Sequence, residues 1–425
     1  MSDTVIHTTD LKTLIKNNIR NYSMFIMLIL ILIIFALLTK EKGVNLSPRN
    51  LTNIFFQYSY VLILAVGMVM VIIVQGIDLS VGSVCAFIGA LTAMIYNTGI
   101  GMPITLLAAL AMGAAVGAYQ GAWIAYARIP AFIVTLSGML LFRGLTYIVT
   151  KVNPISLKDT GYSLLATGTL DEVILTKIIV SKWSGSSADI TPRIIDELIQ
   201  TYRIGPYLPL TFVIVAAILA LFFLVEFKGR KSKIANGFEV APLSFFIFKL
   251  ALISLLILGL ADRFARYRGL PIVAIVLGIT VLLFHFIMNN TVLGRYIYAV
   301  GGNPRSAKLS GINSELIIFI VFCFMGIMTG LAAVVSTGYM NSALPQAGNL
   351  FELDAIGACY IGGVSAGGGI GSIVGVIVGG LVMSSINNGM VLMNMGNHYQ
   401  YVVKALILLL AVFYDIYTRR KAGLG

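Results

Sequence analysis

Side chains able to do chemistry are few and widely spaced in this chain. There are three histidines, His7, His285 and His398, and none has a cysteine or carboxylate at metal-ligand spacing. No Gly-x-x-x-x-Gly-Lys-Ser/Thr phosphate loop occurs, because Lys231-Ser232 follows Arg230 rather than glycine. Neither a metal site nor nucleotide hydrolysis is expected, and no catalytic residues emerge. Ion coupling would want carboxylates deep in an apolar segment. Glu226 and Asp415 instead fall at the ends of apolar runs beside basic residues. Asp78 and Asp354 stand beside helix starts, where a carboxylate caps backbone N–H groups and meets the positive end of the helix dipole. Uncharged polar groups suit a route for a neutral polyol such as a sugar, held through its hydroxyls. Gln75, Asn341, Ser342, Ser384, Ser385, Asn387 and Asn388, with Asp78, are the candidates. Each equally suits interhelical hydrogen bonding worth about 1 kcal/mol.

The elements that must position these groups are membrane spans. Hydrophobic residues make up 58% of the 425-residue chain and charged residues 11%, against about 25% charged in soluble domains. Met24–Leu38 and Phe212–Val225 hold no polar side chain, and Leu250–Leu260 only Ser254. Each lies within a stretch near the roughly 20 residues that cross a bilayer. The pattern predicts an all-α polytopic membrane protein with about 10–12 transmembrane helices, some broken or re-entrant. The expected spans are Tyr22–Thr39, Leu51–Val74, Leu79–Tyr96, Pro103–Ala127, Ala131–Thr150, Tyr207–Glu226, Leu243–Ala261, Leu270–Met288, Leu316–Thr337, Leu353–Gly363, Gly371–Met393 and Tyr401–Tyr417. Leu353–Gly363 is too short to span alone and reads as half of a broken element. The first span is read as uncleaved, because Thr39-Lys40-Glu41-Lys42 rather than a small-residue site follows it.

The net charge of +12 does not point to nucleic acid. Basic residues gather in short blocks between apolar runs: Lys12, Lys16 and Arg20; Lys228, Arg230, Lys231 and Lys233; Arg295, Arg305 and Lys308; Arg419, Arg420 and Lys421. That is the look of cytoplasmic loops under the positive-inside rule. Asp262–Arg268, with three arginines and one acid, runs against the rule, since the span count puts it outside. The chain divides into a cytoplasmic tail (1–21), a first transmembrane half (22–150), an extracytoplasmic insert (151–206) and a second half (207–425) that includes a cytoplasmic loop (289–314). A helix is expected in the insert from Thr191-Pro192 to about Tyr202, and the insert reads as a variable surface addition or a docking element. Cys85, Cys323 and Cys359 lie in apolar stretches and read as small packing residues rather than a disulfide framework.

Glycines recur with a helical period. Gly113, Gly117 and Gly121 form one ladder and Gly371, Gly375 and Gly379 another, each suited to close helix approach. The stretch Gly76-Ile77-Asp78-Leu79-Ser80-Val81-Gly82 interrupts one apolar run, and Gly367-Gly368-Gly369-Ile370-Gly371-Ser372 interrupts another in the second half. Paired interruptions are the mark of an internal repeat in a transporter whose pathway lies at broken helices.

The loop from Asn289 to Asn313 carries the clearest local signals. Gly301-Gly302 is expected to turn sharply, Asn303 to cap a helix with Pro304 first in it, and Ala307, Lys308 and Leu309 to continue until Gly311 stops them. A short capped helix on the basic side suits insertion into a partner's groove.

Gly-Arg-Tyr-Ile-Tyr-Ala-Val-Gly-Gly-Asn-Pro (294–304), followed by Ala-Lys-Leu-Ser-Gly-Ile (307–312), strongly resembles the coupling segment of permease subunits in bacterial sugar ABC importers of the ribose, galactose and xylose group. Gln75–Gly82 is similar to that family's first signature, Ile129–Leu136 to its second, and Glu352–Cys359 running on to Asn388 to its C-terminal one. Within the family, Asn341-Ser342-Ala343, Pro345–Asn349, the insert and the hydrophobic region 208–268 resemble the xylose and multiple-monosaccharide branch. The chain departs from the family at Arg305-Ser306, where Glu-Ala is frequent, so the charge offered to an ATPase groove is altered.

The resemblance implies a multi-pass protein of the bacterial cytoplasmic membrane, working as a homodimer around a central pathway. Its partners would be an extracytoplasmic sugar-binding protein and a cytoplasmic tandem-domain ATPase, which uses ATP and Mg; this chain itself is expected to bind no cofactor. Gly301, Gly302, Asn303, Pro304, Arg305, Ala307, Lys308 and Gly311 would form the ATPase-coupling segment. The alternatives are an ion-coupled secondary transporter, an ABC permease for another solute such as branched-chain amino acids, and, more remotely, a membrane enzyme.

Overall fold

The structure is a computed structural model that describes residues 27–39, 47–170, 209–237, 240 and 242–421. From the amino end the helices are α1 (Met27–Leu38), α2 (Pro48–Ile73), α3 (Val81–Asn97), α4 (Met102–Ala125) and α5 (Ala131–Thr150). After the short α6 (Leu164–Thr167) come α7 (Pro209–Ala235), α8 (Leu243–Ala265) and α9 (Ile272–Asn290). Then follow α10 (Val292–Gly302), α11 (Pro304–Leu309), α12 (Ser314–Met340), α13 (Phe351–Ile361), α14 (Ile373–Leu392) and α15 (Asn397–Lys421). Among the described residues, 8 helices are long and apolar enough to cross a membrane, and α1, α3 and part of α15 are shorter apolar helices. The protein is an all-α polytopic membrane protein. The helix expected at 191–202 lies outside the described residues.

The chain folds as two compact units. The smaller takes Ser47–Thr52 and Thr169–Pro271; the larger takes Asn53–Gly168 and Ile272–Gly425 together with α1. In the smaller unit α7 and α8 pack through Val215, Leu219 and Ala261. The segment at Asp262–Arg268 is not the loop expected, since α8 runs to Ala265. One turn on, Arg266 Nε donates to Asp262 Oδ2 at 2.8 Å, an i,i+4 pair that carries the helix forward and offsets part of the positive charge.

In the larger unit α2 is buried from Val61 to its end at Ile73, which is why it reads as hydrophobic all round. The Gly113–Gly117–Gly121 ladder of α4 lies against α12, where it meets two further glycines, Gly326 and Gly330, that the sequence pattern did not single out. Backbones touch: a Cβ on Gly113 would lie 2.9 Å from Gly326 C, and one on Gly326 would lie 2.8 Å from Gly117 N. In lipid such backbone contact substitutes for the hydrophobic drive. Gly326→Leu is therefore expected to overpack the α4–α12 seam at a cost of about 1–3 kcal/mol or more; the check is a lower melting temperature and loss of monodisperse protein in detergent. Cys85 and Cys359 are buried and packed, Cys85 Sγ against Ser336 Oγ at 3.3 Å and Cys359 Sγ against Ala65 O at 3.6 Å.

The start of the insert is folded onto one end of this unit. Ile155–Ser156 (β1) pairs antiparallel with Ser342–Ala343 (β2). Asn97, at the end of α3, donates from Nδ2 to Ser156 O and accepts at Oδ1 from Lys158 N. Tyr162 is fully buried, its hydroxyl 2.8 Å from Thr92 Oγ1.

Candidate coupling and transport site

At the opposite end of the larger unit, the local signals build an exposed helix. Asn303 closes α10 and caps α11, its side chain accepting from Ser306 N at 3.0 Å, with Pro304 in the first helical turn. Gly311, with φ of 84°, follows the helix in a left-handed conformation that glycine adopts without strain. Ala307 is the buried anchor, while Arg305, Lys308 and Leu309 face outward. Lys308 Nζ lies 2.9 Å from Glu315 Oε1, and Arg128 Nη2 reaches the same oxygen at 3.3 Å. The turn expected at Gly301-Gly302 falls one residue later. Both glycines are the last residues of α10, and Gly301 is needed for another reason: a Cβ there would strike Ile73 O and lie 2.9 Å from Gly369 N.

That contact places α10 against both interruptions. The first separates α2, ending at Ile73, from α3, starting at Val81; the second separates α13, ending at Ile361, from α14, starting at Ile373. Gly369 N donates to Ile73 O at 2.9 Å. Gln75 Nε2 donates to Gly301 O at 2.8 Å and to Gly367 O at 3.2 Å. The Tyr298 hydroxyl donates to Gly371 O at 2.8 Å, and burial pushes its phenol above the ordinary value. Gln75 itself has φ of 65°, a left-handed conformation that costs an L-residue roughly 1–2 kcal/mol.

A second meeting point joins the first turns of α3 and α13. Gly82 packs on Gly348, and a Cβ on Gly82 would lie 2.7 Å from Glu352 Oε2. Asp78 is buried and accepts at Oδ1 from Ser80 N at 2.8 Å and from Ser80 Oγ at 2.7 Å. It thus serves backbone at the helix start, as expected, though Ser80 itself makes no side-chain cap. Gln120 of α4 donates to Ser80 Oγ at 2.7 Å, and Thr135 of α5 donates to Ile77 O at 3.1 Å. Thr135 thereby satisfies a carbonyl of the non-helical backbone inside the apolar body, which lipid cannot do, and Gln120 holds the Ser80 hydroxyl that bonds Asp78.

Asp354 lies in the first turn of α13, as expected, but does not cap it. The N-cap of α13 is Leu350, with no side-chain cap; Asp354 instead accepts at Oδ2 from Lys404 Nζ of α15 at 2.9 Å, both side chains being largely buried. Asn387 of α14 is its neutral polar neighbour. Lys404, a cation inside an expected span, thus has a buried carboxylate within reach. Arg143, inside another, donates from Nη1 to Pro345 O at 3.0 Å and Ala347 O at 2.7 Å, holding the loop before α13.

Of the remaining pathway candidates, Ser384, Asn387 and Asn388 share α14 and Asn341 ends α12. Ser384 Oγ donates to Gly380 O within its own helix, Asn387 and Asn388 are buried, and Asn341 is the left-handed C-cap of α12, its carbonyl accepting from Leu157 N. Gln75 sits beside α10. Gln120, Arg143 and Glu352 were not among the residues the sequence marked as candidates. Gln120 left a signal, since it continues the buried face of Ala109, Gly113 and Gly117, and Glu352 left one as the first residue of the C-terminal signature.

A helical membrane body with two interrupted segments, both held against α10, which runs on into the exposed capped helix α11, has the build of a transport permease. The chain belongs to the family described as branched-chain amino acid transport system permease components, whose profile matches residues 50–412. It is 35% identical over 407 residues to the xylose transport system permease protein XylH of Escherichia coli (strain K12), covering 95% of this chain and 94% of that protein. It is 33% identical over 388 residues to the ribose import permease protein RbsC of the same strain, covering 91% of this chain and 92% of that protein. The XylH protein of Haemophilus influenzae is 35% identical over 404 residues, 94% of this chain and 98% of the relative. No solved structure matches the chain.

Proposed function

We propose that this chain is the membrane-spanning subunit of an ATP-driven importer for a monosaccharide in a bacterial cytoplasmic membrane, with the pentoses xylose and ribose as the first candidates. The observation that carries the reading is the capped helix Pro304–Leu309, exposed at one end and rooted against both membrane interruptions through α10. A cytoplasmic tandem-domain ATPase would take this helix into its cleft and supply energy from ATP and Mg, while a sugar-binding protein docks at the other end and a second copy of the chain completes the pathway. The chain binds no cofactor of its own in this scheme. The relatives' names favour a sugar over a branched-chain amino acid. Ion coupling is disfavoured because Asp354 is paired with Lys404 and Asp78 is engaged by Ser80.

The test is reconstitution of the chain with its neighbouring ATPase and binding protein in vesicles, following labelled xylose and ribose. Uptake is expected to require all three proteins and ATP. Uptake that persists without the ATPase, driven by an ion gradient, would sink the reading.

A further inference from the structure

We propose that Gln75 is the positioning residue that joins the exposed helix α11 to both interruptions of the membrane body, so that displacing α11 moves the α2–α3 and α13–α14 segments together. The inference rests on the ATP-driven reading above. Three segments far apart in the chain meet here: the end of α2, the end of α10, and the glycine stretch before α14. An amide nitrogen carries two hydrogens, and Gln75 directs one to the carbonyl of Gly301 and the other to that of Gly367.

The backbone supports the same assignment. Gln75 occupies a left-handed conformation that glycine would take without strain. A strained position of this kind points to a role for the side chain it holds, and the hydrogen bonds of this one bridge two carbonyls from distant parts of the chain. Gln75 is solvent-exposed as a residue, but its stem is held by close neighbours. A Cβ on Gly368 would lie 2.5 Å from Gln75 Cγ, and one on Gly369 would lie 2.8 Å from Gly302 Cα. Gly369 N–H and the Tyr298 hydroxyl add two struts, to Ile73 O and Gly371 O. Close-packed contacts pass on a displacement instead of absorbing it.

Gln75→Gly keeps the left-handed backbone conformation and removes the bridge together with the rest of the side chain. Gln75→Met, which keeps the side-chain length without a donor, controls for volume. In the three-component vesicles, both variants are expected to lower the number of sugars imported per ATP hydrolysed by about tenfold, the scale of an ordinary coupling factor. A wild-type ratio in either variant overturns the joint while leaving the importer reading intact, provided the wild-type chain imports. Wild-type vesicles that fail to import sugar with ATP overturn the importer reading instead. Hydrogen exchange on the purified full chain needs no transport: the Gly369 amide is expected to exchange about tenfold faster in both variants as the contact opens locally. Unchanged protection there overturns the joint by itself.

Discussion

Replacing Lys404 with methionine is expected to cost the folded protein about 3–5 kcal/mol, the range for breaking a buried ion pair by removing one partner. The side chains of Lys404 and Asp354 are 16% and 8% exposed and their charged atoms are 2.9 Å apart, so the surviving carboxylate would be left in an apolar bundle with little water to stabilise its charge. The pair also ties α15 to α13, a helix of only 11 residues. Removing both charges together reverses the sign of the argument: Lys404→Met with Asp354→Asn leaves two neutral groups, and stability should recover most of what the single change lost. Thermal melting of the purified protein in detergent decides the matter. A K404M single variant that melts with the wild type would show that water already compensates the pair.

What could be read in the sequence follows from how far apart the interacting residues stand. Asn303, Pro304 and Gly311 lie within one short segment, and cap chemistry is local, so the helix between them was legible. The Gly113–Gly117–Gly121 face was legible for the same reason, since a helical period needs no knowledge of the partner. Lys404 and Asp354 stand 50 positions apart, and Arg143 and Ala347 are separated by 204. A lone cation in an apolar run reads as a snorkelling side chain until its acceptor is located. Gly301 shows a different failure. A glycine is required either by backbone dihedrals or by a neighbour where Cβ would sit, and the sequence does not distinguish the two; here it is the second.

Reversing Arg305 and Lys308 to glutamate is expected to uncouple ATP hydrolysis from transport while leaving the protein inserted and folded. Both side chains lie outward on α11. Among the described residues, the ion pair disturbed is the exposed one between Lys308 and Glu315, a class worth about 0–1 kcal/mol. Melting temperature should therefore barely move. Docking is another matter, because reversing two charges at an interface places like against like and lowers association steeply. Uptake in the reconstituted system is expected to fall by about tenfold or more, and ATPase binding to weaken in a salt-dependent way. The reversal at Lys308 also sets a second carboxylate beside Glu315, so a purely internal effect needs its own control. Adding Glu315→Lys restores an attractive pair with position 308, at the loss of the exposed Arg128–Glu315 contact, but leaves the outward charge reversed. If α11 acts by entering a partner, the triple variant stays defective. Recovery of uptake in the triple variant would assign the effect to the α11–α12 pair and remove α11 from the ATPase interface.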